Sequence, residues 1–183
     1  MPKTIFIDVE TTGLDARKQD VIQLAALVEI DGQVVEEFNS NVQPVNWDAI
    51  DMGALLVTST SMEDLKRYPP AREVYNDFST MLGKYVDKFD RADKFYPAGY
   101  NVDFDLRFMQ EFFAKQGDKY FHSYVSHRRL DPMHLLSFQA YQGKLTLPDF
   151  KLETVCKHFG IELKAHDALS DVKATRELLR RLM

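Results

Sequence analysis

Between Val21 and Val42 two strand-like runs meet at Asp31-Gly32, and no other feature of the chain constrains its fold as strongly. A tight two-residue turn of this kind needs positive φ, which Asp and Gly tolerate. It forces its flanks to pair as antiparallel neighbours. The spacing predicts strands over 21–30 and 33–42. A shorter apolar run, Thr4 to Val9, precedes them as a first strand and stops at Glu10-Thr11-Thr12-Gly13.

Helical periodicity dominates the rest. Residues 43–61 read as irregular, and Pro69-Pro70 closes a short helical stretch. A helix is expected over 71–90, with Val74, Phe78, Met81, Leu82 and Tyr85 on one face. A strand over 94–98 ends at Gly99, and a helix over 103–117 follows, with Asp103 as its candidate N-cap. Residues 124–130 read as a strand, after which Asp131-Pro132 has the pattern of an N-cap followed by proline at the first helical position. Helices from near Asp149 to Gly160 and from about Ala168 to Leu182 complete the pattern. A hairpin followed by alternating helix and strand implies an α/β fold with a mixed sheet flanked by helices. With 183 residues and no repeat, low-complexity tract or linker, one domain over 1–183 is expected.

At 45% hydrophobic and 28% charged residues, wholesale disorder is excluded. The longest unbroken apolar run, Leu24 to Val28, falls far short of the ~20 residues that cross a bilayer. Met1-Pro2-Lys3 leads straight into the first strand without a leader pattern, so a cytoplasmic protein with no membrane partner is expected. Cys156 is the only cysteine, which excludes an intrachain disulfide and a cysteine-rich zinc site and leaves packing as its role. The net charge of −5 disfavours binding to a polyanion unless a carboxylate cluster holds divalent cations that invert the local field.

Candidate members of such a cluster stand in unusual places. Asp8 follows Ile5-Phe6-Ile7 inside the first strand, with Glu10 two residues on. Residues two apart on a strand share a face, and like charges held there are unfavourable unless a cation lies between them. Asp105 sits at a strand-to-helix junction. Asp171 falls on the last helix at inward spacing with Thr175, Leu178 and Leu182, and His166 lies five residues before it.

These residues carry a resemblance. Phe6-Ile7-Asp8-Val9-Glu10-Thr11-Thr12-Gly13-Leu14 is similar to the first motif of the DEDDh exonucleases, the family of the proofreading epsilon subunit of bacterial DNA polymerase III. Asn101-Val102-Asp103-Phe104-Asp105 matches the second motif, Asn-x-x-Phe-Asp, and His166 to Asp171 matches the third, His-x-x-x-x-Asp. Leu130-Asp131 and the stretch from Lys151 to Ile161 extend the likeness over nearly the whole chain. The sister subclass carries tyrosine four residues before the final aspartate, where this chain has Asp167. One departure is Leu56-Val57-Thr58, where the family often has a Gly-Ile-Thr-like turn.

The resemblance implies a ribonuclease H-like fold and metal-dependent 3′–5′ exonuclease activity. Asp8, Glu10, Asp105 and Asp171 would hold two divalent ions, Mg²⁺ or Mn²⁺, with Asp8 between them. His166 would take the proton of the attacking water, a task suited to a side chain whose ordinary pKa is near ~6.5. Thr11, Thr12, Gly13 and Leu14 would meet the terminal nucleotide, Leu14 against its base, with Asn101 supporting the site and Phe104 stacking or packing. The implied substrate is the 3′ end of single-stranded or frayed DNA, released as nucleoside monophosphates in proofreading or repair, with a DNA polymerase as candidate partner. Two alternatives stay open at this level: an RNA-directed member of the family, of oligoribonuclease or tRNA-trimming type, and a non-catalytic nucleic-acid or polymerase clamp. Lys144, Lys151 and Lys164 are candidate phosphate contacts. Arg128-Arg129 and Arg180-Arg181 are read equally as solvated faces or backbone contacts. His122, His127, His134 and His158 show no ligand spacing.

Overall fold

A computed structural model describes residues 2–164 and 166–183. Strands β1 (Lys3–Thr11), β2 (Val21–Ile30) and β3 (Gln33–Asn41) form an antiparallel meander, and β4 (Tyr96–Ala98) adds in parallel to the far side of β1, giving the order β3-β2-β1-β4. The turn between β2 and β3 has Asp31 at φ 54° and Gly32 at φ 78°, as the dipeptide requires. Between β3 and β4 come α1 (Met52–Val57), α2 (Met62–Arg67) and α3 (Ala71–Tyr85). After β4 come α4 (Val102–Lys115), α5 (Pro132–Tyr141), α6 (Leu152–Phe159) and α7 (Ala168–Leu182). The mixed α/β architecture expected from the sequence is therefore present.

β1 is covered on both faces, and its period-2 alternation decides what each face meets. Ile5, Ile7 and Val9 join Leu24, Ala26 and Val28 of β2 in the larger core, against Phe78 of α3 and Met109 and Phe113 of α4. Phe6 points the other way, with Ala25 and Leu27, onto Ala168, Val172 and Leu179 of α7. Asp8 and Glu10 continue that second row. A strand whose inward residues on this side run Phe, Asp, Glu thus passes from packing to charge along α7.

The close approach of β4 to β1 depends on Gly99, where a Cβ would meet the carbonyl oxygen of Ile7 at 2.9 Å and Cγ2 of Val102 at 2.9 Å. The β4 ladder ends at the Phe6–Ala98 pair. Farther along β1 the Val9 N–H is taken by Oδ1 of Asp105, at 3.0 Å. A helix carboxylate thereby completes the hydrogen bonding of the strand that carries Asp8 and Glu10.

Several boundaries differ from the sequence reading. The helix expected to Asp90 stops at Tyr85, and Val86 buries its side chain in extended backbone instead. Residues 124–130 do not form a full strand. Only Val125 and Leu130 bridge to Phe95 and Ala98, and the stretch between them leaves the sheet edge. The 43–61 segment contains α1 and one 3₁₀ turn, Trp47–Ala49. The helix near Asp149 starts at Leu152.

Asp103 does not cap α4. The N-cap is Asn101, in the left-handed region at φ 60°, and its side chain makes no capping bond. Asp103 pairs instead with Arg129. The capping carboxylate comes from Asp131, which accepts from Val102 N at 3.2 Å and Asn101 N at 3.3 Å as well as from Met133 N at 2.9 Å in its own helix. One buried side chain thus satisfies the starts of both α4 and α5. Asp131→Ala should lower unfolding free energy by about 1–4 kcal/mol, the sum of two lost caps, whereas Asp131→Asn should retain much of it. Urea unfolding of the three proteins measures the difference.

Candidate active site

Three carboxylates converge at the C-terminal half of β1. One oxygen each from Asp8, Glu10 and Asp171 lies within 4.8 Å of the others. The strand supplies two of them from its α7-facing row, and the first turn of α7 supplies the third. That turn is fixed by Asp167, whose side chain accepts from Ser170 N at 3.1 Å, and by Gln23 of β2, whose amide oxygen accepts from Ala168 N at 3.3 Å. Asp105 arrives from α4 and is almost fully buried, with one oxygen spent on Val9 N.

The site is electrostatically strained when no cation offsets it. Burial pushes Glu10 up to about 7, helped by the charges of Asp171 and Asp167. Burial likewise raises Asp171 to about 6, with Asp167 adding and the His166 backbone N–H opposing. Asp8 is raised well above the carboxylate range by burial and then by Asp105, Asp171 and Glu10. Burial also lifts Asp105, against the hydrogen bond from Val9. Among the described residues, Oδ1 of Asp171 is buried with no hydrogen-bond partner. A buried carboxylate oxygen left without a donor, facing two more carboxylates, has the chemistry of a ligand for a hard divalent cation, which takes oxygen donors. The residues present fit such an ion.

The β1–β2 loop is tied down by its own polar groups. Thr12 donates from its N–H to Asp20 O at 2.8 Å and accepts at Oγ1 from Asp20 N at 2.9 Å, while the Thr11 hydroxyl donates to Gly13 O at 2.6 Å. Both threonines are buried, so a hydroxyl contact with a ligand would have to replace these bonds. At Gly13 the close neighbour is the Gln19 side chain, which a Cβ would meet at about 1.8 Å, and Gln19 Nε2 donates to Thr12 O and Ala49 O. Asp20 is held in turn by Lys115 Nζ at 2.7 Å and by the N–H groups of Val45 and Asn46. Leu14 projects from this braced loop 83% exposed.

His166 is exposed, sits at φ 62°, and lines one groove with Glu10, Lys164 and Asp167. Asn101 is exposed. Phe104 is half-buried, its ring 4.8 Å from that of Phe108. Lys164 lies 3.5 Å from Asp167 and donates its backbone N–H to Ser170. Cys156 is buried, which pushes its thiol up to about 11 and makes it inert. Sequence reasoning undervalued Asp131, Gln23 and Asp167. The Asp-Pro signal pointed to one of the two helix starts that Asp131 serves, whereas contacts such as Gln23 with Ala168 span 145 positions and leave no local pattern.

An α/β sheet carrying an acidic cluster on an inner strand and on the first turn of its last helix is the arrangement that the resemblance to the exonucleases implies. The RNase_T family model, described as exonuclease, matches residues 5–179, and the chain belongs to this exonuclease family. Among its relatives, the PolC-type DNA polymerase III of Halalkalibacterium halodurans is 30% identical over 180 residues, and that of Bacillus subtilis is 27% identical over 187. In each case the match covers 98% of this chain and only 11% of the relative's length. E. coli exonuclease I in complex with a dT13 oligonucleotide superposes with a TM-score of 0.80 at 22% identity, over 100% of this chain and 41% of that one. A product-bound exonuclease I gives 0.79 at 21% identity, over 100% and 43%.

The raised carboxylates carry a sign that can be checked. A carboxylate whose pKa is higher folded than unfolded adds stability below its unfolded value, near ~4, and loses it as pH rises through the folded value. Metal-free protein should therefore melt several degrees lower at pH 8 than at pH 5. Adding Mn²⁺ at pH 8 should restore the loss, and Asp8→Asn should flatten the pH dependence. Calorimetry with and without chelator measures all three.

Proposed function

We propose that this chain is a 3′–5′ exonuclease that hydrolyses phosphodiester bonds from the 3′ end of single-stranded or frayed DNA and releases nucleoside monophosphates. The observation that carries the reading is the meeting of Asp8, Glu10 and Asp171 within 4.8 Å, with Asp105 docked onto the same strand. Family membership supports hydrolysis from an end, and the PolC-type relatives and oligonucleotide-bound exonuclease I support DNA as the substrate.

In this reading Asp8, Glu10, Asp105 and Asp171 hold two divalent ions, Mg²⁺ or Mn²⁺. When bound, these supply positive charge to the phosphate oxygens and to the attacking and leaving oxygens as negative charge builds there. Asp105 enters with one oxygen already oriented by Val9, which fixes the direction of the other. His166 accepts at its imidazole the proton that the attacking water loses. Its exposure at the groove mouth suits a base that must pass that proton on to solvent. Leu14 packs against the terminal base, the half-buried Phe104 stacks or packs beside the site, and Thr11, Thr12, Gly13 and Asn101 contribute to binding the terminal nucleotide. Such contacts select an end and ignore sequence. The reading takes residues 1–183 as one exonuclease domain that works in the cytoplasm. A DNA polymerase is its candidate partner, as the names of the relatives suggest.

Nucleotide release from matched DNA and RNA strands, with label at either end and a chelator control, tests the proposal. DNA should shorten from the 3′ end only with metal present. Faster release from RNA would move the substrate to the RNA-directed reading, and no release would leave the clamp. Asp8→Asn should lower the rate at least about 10²-fold. His166→Ala should lower it about 10²–10⁴-fold while leaving Mn²⁺ binding by calorimetry unchanged.

A further inference from the structure

The stretch 126–129 leaves the sheet edge between its two bridges and opens a cleft of about 540 Å³ against α4 and the approach to β4. Its walls include Arg91, Lys94, Arg128, Arg129 and the imidazoles of His122 and His127, and among the described residues no carboxylate lines it. That concentration of positive charge sits in a chain of net charge −5. Among the described residues, only Arg129 of the three cleft arginines forms an ion pair, with Asp103. The Arg128 guanidinium, among the described residues, donates only to the neutral hydroxyl of Tyr96, at 3.3 Å. Lys94 is fixed by the carbonyls of Ser123 and His122, and its charge also acts on Asp93, which is not among the cleft's lining residues. His122 titrates lower than an ordinary imidazole, chiefly through burial and then through the nearby charges of Arg129 and Lys94.

The cleft borders, at Leu106, the helix that carries Asp105. Arg129 meets the first turn of α4, the turn that carries Phe104 and Asp105. A second hollow, lined by Asp103, Arg107, Gln110, His122 and Arg129, continues it along the exposed face of that helix. Arg107 also lines a further hollow with Leu14, Arg17 and the carboxylates of Asp15 and Glu111. The exposed leucine and the cleft are thus joined over α4 by Arg107. From Asp103 to Gln110 this track is about 10 Å long, at ~1.5 Å per helical residue.

We propose that this cleft is a second nucleic-acid contact, which holds backbone phosphates of the substrate strand upstream of the nucleotide in the acidic site. It rests on the exonuclease reading for the identity of the strand, and it gives Arg128-Arg129 a role the sequence left open. The acidic cluster repels phosphate until cations are bound, so a cationic track beside it supplies the attraction that brings a long strand in. Short substrates, which end before the track, gain nothing from it.

The test compares the parent with an Arg91→Ala/Arg128→Ala double variant, whose changed side chains are both exposed and distant from the acidic residues in sequence. On an oligothymidylate of about 20 nucleotides, KM should rise about tenfold at low salt with kcat unchanged, and the salt slope of binding should fall by about 1.4 for two lost contacts. On a trinucleotide, KM should not change. The Arg91→Lys/Arg128→Lys variant should recover most of the long-strand affinity. Equal KM changes for both lengths, or no change for the long one, overturn the proposal. Fluorescence anisotropy of both oligonucleotides in chelator gives the same comparison without catalysis. If the parent hydrolyses nothing yet loses long-strand binding on substitution, the cleft stands and the exonuclease reading falls.

Discussion

Everything in this molecule is arranged around mutual repulsion among carboxylates that the fold holds together. Asp8, Glu10 and Asp171 would separate if the chain were free to let them. They stay because β1 is packed on both faces, by α3 and α4 on one side and α7 on the other. The hydrophobic rows that surround Asp8 do the confining, at roughly 1.5–3 kcal/mol for each large apolar side chain buried. The raised affinity of these groups for protons is the visible mark of that confinement. The same confinement makes them a receptive cradle for a cation.

The supporting polar contacts follow from this arrangement. Asp105 finishes the hydrogen bonding of β1 beyond the reach of β4, Gln23 and Asp167 fix the start of α7, and Asp131 fixes the starts of α4 and α5. Each spends a side chain on orphan backbone groups near the acidic cluster, where a loose helix end would let a ligand drift. Much of the positive charge lines the hollows along α4 and the 126–129 stretch, while Lys164 lines the groove that holds Glu10.

How much of this could be read from the sequence depended on how local the cause was. Asp31-Gly32 announced the hairpin because a turn type is a property of two residues. Asp8 and Glu10 were legible because period-2 alternation places them on one side, and the meeting with Asp171 came through the family motifs, not from periodicity. The 124–130 segment misled because its apolar residues at Val125 and Leu130 resemble a strand, while the charged residues between them turn off the edge. Asp103 looked like a cap since it stands at a helix start, yet a carboxylate 30 positions from Asn101 does that work. The tied-down hydroxyls of Thr11 and Thr12 were equally out of view, since their partners are fixed by the path of the loop.

Alternation along β1 carries one further implication. Odd positions belong to the aromatic core and even positions pass from Phe6 to the acids, so the strand reads as two interleaved messages. Inserting or deleting one residue before Asp8 would exchange the messages, turning charge into the aromatic side and valine toward the groove. Such a strand tolerates a change of side chain more readily than a change in its number of residues before Asp8.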